Sequence, residues 1–259
     1  TVAPRAAPCD TAEGGLALTR LVPENHRRAY DVIKLIHLIA DEDSLFHLRP
    51  EYGKNLVTVL ARMAGQPVGI VANNPMQRAG VLDEKAAIKA RKFIDLCDAF
   101  HIPLIFLCDT PGFLVGPEIE KHRMVSLCGR LLNSLMAASV PKITIVLRKA
   151  VGMAYIAMCG RACHPNAIIS WPTAFFDVMG PEAGVMLVYG KEIAAAADPE
   201  ARKQEILIEL EGEASAYATA GMGLIDDIIA PLETRPFILR TLERTQGCDV
   251  TAFKHRIDP

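Results

Sequence analysis

The chain has 259 residues, 51% hydrophobic and 22% charged, with a formal net charge of −2. That is ample material for a buried core, in one large domain or two small ones. The balanced charge, with no basic stripe and no block of like sign, argues against a nucleic-acid partner or a solvated tail. No apolar run reaches the roughly 18 residues that a membrane span requires.

The chain opens at Thr1 rather than Met, which points to an excised or processed polypeptide. TVAPRAAPCDTAEGG lacks the basic-then-apolar layout of a signal peptide. Its Pro/Ala/Gly composition predicts a flexible segment over residues 1–20 without secondary structure. Residues 21–246 read as the folded body and 247–259 as a tail. AYDVIKLIHLIA, residues 29–40, has the apolar spacing of a helix. NLVTVLARMAGQPVGIVANN reads as strand, turn, strand, with Val57–Met63 and Val68–Ala72 flanking Ala64-Gly65-Gln66-Pro67. Asp83 is placed to cap a helix running to about Phe100, with Ala87, Ala90, Ile94 and Cys97 on one face.

A strand over Pro103–Cys108 follows, then the turn Asp109-Thr110-Pro111-Gly112 and a helix near Glu118–Ser139. The strand Lys142–Leu147 leads to a glycine turn at Gly152 and a short apolar helix from about Met153. AIISWP, residues 167–172, predicts a strand, and Ala201–Ala220 one long helix. GLIDDIIAP is a late strand or turn, with Asp226-Asp227 a solvated edge, and ETRPFILRTLERT a terminal helix. Strands alternating with helices predict an α/β fold. There is no repeat and no low-complexity tract.

The seven cysteines, Cys9, Cys97, Cys108, Cys128, Cys159, Cys163 and Cys248, are odd in number and scattered. They suit a reducing compartment, with thiols serving as small core residues. Cys159, Cys163 and His164 could supply three metal ligands. No second Cys or His pair stands at zinc spacing, so no metal is predicted.

A buried strand ending in D-T-P-G resembles a nucleotide switch. A P-loop enzyme also needs G-x-x-x-x-G-K-[ST], because its amides, lysine and hydroxyl hold the phosphates and magnesium. The two Gly-Lys pairs here, in YGKN and YGKE, lack the hydroxyl and the glycine-rich loop, so the GTPase reading fails. No G-x-S-x-G elbow marks a nucleophilic serine. His101 and His164 read as capping or surface groups. Two strand–glycine–helix units remain, and the first turns of such helices expose backbone N–H groups. Those donors could hold an anion or a developing oxyanion. Equally, the glycines could serve only as turns.

NNPMQRAGVLDEKAAIKARKFIDLCDAFHIPLIFLCDTPGFLVGPEIE, SVPKITIVLRKAVGMAY, SWPTAFFDVMGPEAG and GLIDDIIAPLETR together resemble the carboxyltransferase (β) subunits of biotin-dependent acyl-CoA carboxylases. The likeness runs in order from about Leu21 to Leu242. It is similar to the C-terminal half of that family alone. The resemblance implies a crotonase-like ββα superhelix. It implies transfer of a carboxyl group between carboxybiotin and the α-carbon of an acyl-CoA, with the biotin side of the site on this chain. The decarboxylases and transcarboxylases of the family, or a scaffold half without turnover, are the alternatives.

As the resemblance implies, the backbone N–H groups of Met153 and Ala154, set up by Gly152, form an oxyanion hole. Tyr155 and Ile156 contact substrate, Ile156 at the position that tunes acyl length. Pro111, Gly112, Phe113, Met179 and Gly180 line the biotin cleft, with Asp109 holding its turn through local hydrogen bonds. The implied partners are an N-terminal carboxyltransferase half, a biotin carrier protein and biotin carboxylase, in a homo- or hetero-oligomer. The implied compartment is the cytoplasm or a mitochondrial matrix. Two departures stand out: Met153 occupies a position that is usually glycine, and Glu182-Ala183-Gly184 inverts a Gly-Ala order.

Overall fold

The structure, a computed structural model, describes residues 3–246. The expected tail at 247–259, with Cys248, lies outside the described residues. The elements in chain order are α1 (Ala12–Leu21), α2 (Val32–Ile39), β1 (Phe46–His47), β2 (Leu56–Met63), β3 (Gln66–Asn73), α3 (Glu84–Ala99), β4 (Leu104–Thr110), α4 (Pro117–Lys121), α5 (Met124–Ala137) and β5 (Lys142–Val151). There follow α6 (Gly152–Ala157), β6 (Ala167–Ser170), β7 (Phe175–Asp177), α7 (Pro181–Ala195), α8 (Pro199–Glu213), α9 (Ala216–Gly221), β8 (Asp227–Ile228) and α10 (Thr234–Thr245).

The strands form one sheet in the order β1-β2-β3-β4-β5-β6-β8, and β7 also pairs with β5. β2 and β3 are an antiparallel hairpin. Its turn residues Ala64 and Gly65 both have positive φ, +48° and +81°, as a tight two-residue hairpin turn requires. From β3 onward the pairing is parallel. Every residue of β4 and β5 is buried, which explains their unbroken apolar runs: both faces of a parallel sheet are covered.

Successive residues of β4 serve opposite layers, as the two-residue period of a strand dictates. Leu104, Phe106 and Cys108 pack with α3, α5 and α6. Ile105 and Leu107 pack with Leu18 of α1, Leu35 of α2 and Ile238 of α10. A separate small cluster of Val185, Ile193 and Ile206 joins α7 to α8.

Four expectations are corrected. The N-terminal stretch is not a structureless linker: Thr11 caps α1 by accepting from the Gly14 amide, and Leu18 is fully buried. Local composition concealed the tertiary contact that orders it. The helix expected near 118–139 is split, because i→i+3 bonds tighten the end of α4 and Arg123 turns left-handed with φ +56°. The helix expected over 201–220 is also split, since Ser215 acts as a fresh N-cap, its Oγ accepting from the Ala218 amide. α7 and β7 were not anticipated at all. α7 carries Gly184 and Gly190, and it exposes Met186, Leu187 and Val188 while burying Val185, so no apolar stripe marks it.

Candidate active site

Two neighbouring parallel strands leave the sheet side by side. Thr110 of β4 stands opposite Ala150 of β5, and two residues later each chain reaches a glycine, Gly112 or Gly152. Carboxyl ends of parallel strands are where α/β sheets tend to bind ligands. Gly112 has φ +140° and Gly152 has φ +57°, regions that a side chain disfavours. A Cβ on Gly152 would also lie 2.8 Å from the carbonyl oxygen of Val178, just beyond β7. The Gly152 turn therefore sits between the D-T-P-G turn on one flank and Val178–Gly180 on the other.

Gly152 opens α6 after the N-cap Val151, which offers no side-chain acceptor. The first amides of an α-helix have no acceptor within the helix. Those of Met153 and Ala154 belong to this set. The Ala154 side chain is buried, whereas Met153 is 49% exposed.

The other anticipated residues fall into two groups. On the β4 flank, Gly112 accepts from the Leu82 amide at 3.1 Å, and Leu114 donates to the Leu82 carbonyl at 2.8 Å. Phe113 bridges to Leu82 and is half-buried against the core. Pro111 precedes them, also half-buried. On the β7 flank, Gly180 caps α7, and Met179 lines a cavity of about 580 Å³ with Tyr155, Phe176, Val188, Leu210 and Met222. The Tyr155 ring meets Phe176 edge-on at 5.5 Å, and its hydroxyl accepts from the Arg161 amide at 3.3 Å. Burial pushes that hydroxyl up to about 12. Ile156 does not line this cavity; from α6 it packs against the core cluster that includes Leu131 and Leu135 of α5.

Asp109 departs from expectation. The local bond that holds the turn comes from Thr110, whose Oγ1 accepts from the Gly112 amide at 3.3 Å. The Asp109 carboxylate is fully buried and reaches across to β5. Its Oδ2 accepts from Arg148 Nε at 3.0 Å and lies 2.9 Å from Arg148 Nη2. Its Oδ1 accepts from the Lys149 amide at 3.2 Å and lies 3.3 Å from Lys149 Nζ. Arg148 Nη1 in turn donates to the carbonyls of Pro23, Asn25 and Arg28 at 3.2, 3.0 and 2.8 Å. The guanidinium also lies over the Tyr30 ring, 4.7 Å from its centre. Burial and the Asp109 charge raise the Tyr30 hydroxyl well above its ordinary range.

The loop held by Arg148 contributes His26, which stacks on Phe175 at 4.7 Å, its Nε2 lying 3.0 Å from the Thr173 carbonyl. Burial lowers its basicity. His26, Thr173, Asp177 and Ser215 line a second, more polar cavity of about 840 Å³. Sequence reading missed this group because its members are far apart along the chain. The only signal was the Arg148-Lys149 pair between the apolar residues Ile145–Leu147 and Ala150–Val151 of β5. Asp226, expected at a solvated edge, is indeed exposed. It is nonetheless bonded, to Arg161 Nη1 at 2.7 Å and to the Ile168 amide at 2.8 Å. Among the described residues, no group of three or more His, Cys, Asp or Glu is placed to hold a metal ion.

Residues 1–255 match the Carboxyl transferase domain. The chain belongs to the carboxyl transferase domain family. It is 43% identical over 219 residues to a putative propionyl-CoA carboxylase beta chain of Bacillus subtilis (strain 168), covering 84% of this chain and 43% of that protein. It is 39% identical over 231 residues to the methylmalonyl-CoA decarboxylase subunit alpha of Propionigenium modestum, covering 89% and 45%. A crystal structure of transcarboxylase 12S, with methylmalonyl-coenzyme A and methylmalonic acid bound, superposes with a TM-score of 0.88 at 38% identity. It covers all of this chain and 48% of that one. This carboxyl transferase domain thus has the crotonase-like α/β fold expected, and it spans less than half the length of these relatives.

Proposed function

We propose that this chain is the biotin-facing, C-terminal half of a carboxyltransferase that moves a carboxyl group between carboxybiotin and the α-carbon of an acyl-CoA. The observation that carries this reading is the Gly152 turn. It presents the uncapped start of α6 between two flanking turns, in a family whose members are named for acyl-CoA carboxylation, decarboxylation and carboxyl transfer.

Carboxybiotin would arrive as a substrate on its carrier protein, and its ureido oxygen gains negative charge as the carboxyl group departs. The amides of Met153 and Ala154 donate to that oxygen. A preorganised donor of this kind is worth about 2.7–4 kcal/mol in the transition state. Gly152 fits the role because its φ and the closeness of Val178 both exclude a side chain. Pro111, Gly112 and Phe113 wall the cleft on one side, with Met179 and Gly180 on the other. Tyr155 orients the substrate from α6, and Ile156 tunes acyl length indirectly, through the packing of that helix. An N-terminal half supplies the acyl-CoA side, and biotin carboxylase and the carrier protein complete a cytoplasmic or matrix complex.

The test is a transfer assay with the N-terminal half present, malonyl-CoA or methylmalonyl-CoA as donor and free biotin as acceptor. Carboxylated biotin is the expected product. No transfer in either direction by a folded, assembled complex would sink the reading and favour a scaffold role.

A further inference from the structure

The ladder between β4 and β5 is interrupted. Cys108 pairs with Val146, but Thr110 pairs with Ala150, so Asp109 alone faces Leu147, Arg148 and Lys149. This is a bulge in β5, of the kind that re-aims a strand beside a functional site. It divides the strand between two partners: Ile143–Val146 pair with β6, and Lys149–Val151 pair with β7. Only the second segment leads directly into Gly152.

A bulge leaves backbone groups without their ladder partners, and buried groups of that kind must be satisfied elsewhere. Here the Asp109 carboxylate takes the Lys149 amide, while both cationic side chains of the bulge converge on the same carboxylate. Cys108 Sγ, at 3.6 Å, donates to the Lys149 carbonyl. The Asp109 amide is anchored on Asn73 Oδ1 at 3.1 Å, so the carboxylate is held from β3.

We propose that Asp109 is a positioning residue for the Gly152–Ala154 turn, its carboxylate closing the β5 bulge and so fixing where the Met153 and Ala154 amides point. The activity arm of this inference rests on the carboxyltransferase reading above; its structural arm does not. Asp109 touches no substrate in this scheme. It acts through Lys149, three residues before Gly152.

The molecule supplies its own control. Asp41 is also buried, accepts from Arg235 Nη2 at 2.7 Å, and takes the Ala64 and Gly65 amides at 2.9 and 2.7 Å. That pair closes the β2–β3 hairpin turn, away from the bulge. A purely structural role would make Asp109→Asn and Asp41→Asn behave alike.

The experiment compares Asp109→Asn, Lys149→Met and Asp41→Asn in the full carboxyltransferase. It reads kcat, both KM values, thermal midpoint and hydrogen exchange of the peptide spanning residues 149–156. Asp109→Asn is expected to lower kcat by about tenfold or more with the acyl-CoA KM unchanged, and to speed exchange of that peptide. Asp41→Asn is expected to lower the midpoint while leaving kcat and that exchange as in the wild type. Lys149→Met keeps the Arg148 pair; should Asp109→Asn fail to fold, the same directions are expected of it. A folded Asp109→Asn or Lys149→Met with wild-type kcat overturns the proposal, as does unchanged exchange. If the wild type itself transfers nothing, the functional reading falls and the exchange comparison alone decides the positioning role.

Discussion

The carbonyl oxygen of Val178 stands where a side chain on Gly152 would have to go, 2.8 Å from the Cβ position. This closeness fixes the Gly152 turn against the end of β7 and makes glycine obligatory twice over, by space and by its φ of +57°. Gly152→Ala is expected to cost about 1–3 kcal/mol of stability, through a strained backbone and a displaced neighbour. Transfer activity should fall further than the loss of folded protein explains. Denaturant unfolding alongside kcat measures both, and a variant with normal kcat would show that the turn does not hold the reacting group.

Met153 is half-exposed at the start of α6, so its side chain contributes little to the core. Met153→Gly should change stability by no more than about 1 kcal/mol, the helix cost of glycine. If the side chain narrows the cleft, the KM for free biotin should fall in this variant with kcat retained. A higher KM would instead mark the Met153 side chain as a contributor to binding.

Trp171 is the single tryptophan, buried, with its Nε1 donating to Thr234 Oγ1 at 3.0 Å. That bond ties the segment after β6 to the start of α10. Thr234→Val keeps the shape and leaves a buried donor unpaired, a cost of about 1–3 kcal/mol. Tryptophan fluorescence through a urea titration reports it as a lower midpoint at unchanged slope. An unchanged midpoint would mean that the indole finds another partner.

Burial pushes the thiols of Cys97 and Cys159 up to about 12. In the unfolded chain a thiol titrates near 8.5, so from about pH 8.5 upward the unfolded state releases protons that the folded state keeps. Raised folded values give stability that is complete below the unfolded value and is lost as pH climbs. Lys89 works in the opposite sense. Burial, with Arg49 nearby, lowers it to about 8, so its burial penalty fades above that pH. Urea unfolding at pH 8 and pH 10 should show a smaller decline in Cys97→Ala than in the wild type. Equal declines would exclude Cys97 as a source.

The strands β2 to β6 and α3 were legible because long apolar runs and a capping Asp83 are local signals, and local structure follows them. The Gly152 turn was legible as a glycine between a buried strand and an apolar helix. The role of Asp109 was not, because its partners Arg148 and Lys149 are forty residues away and meet it only through the bulge. α7 escaped for another reason: its exposed Met186, Leu187 and Val188 erase the one-sided pattern by which a surface helix is recognised. The order at the N-terminus likewise depends on Leu18 meeting a core assembled from distant strands.

In the proposed site the Met153 and Ala154 amides face biotin. The most direct measurement is an amide NMR titration of the assembled enzyme, labelled with ¹⁵N at methionine and alanine, with biotin methyl ester. The Met153 and Ala154 resonances are expected to shift most, while those of methionines outside the cleft, such as Met63 in β2, stay in place. Saturating biotin that supports carboxyl transfer yet leaves both amide resonances unmoved would contradict that placement.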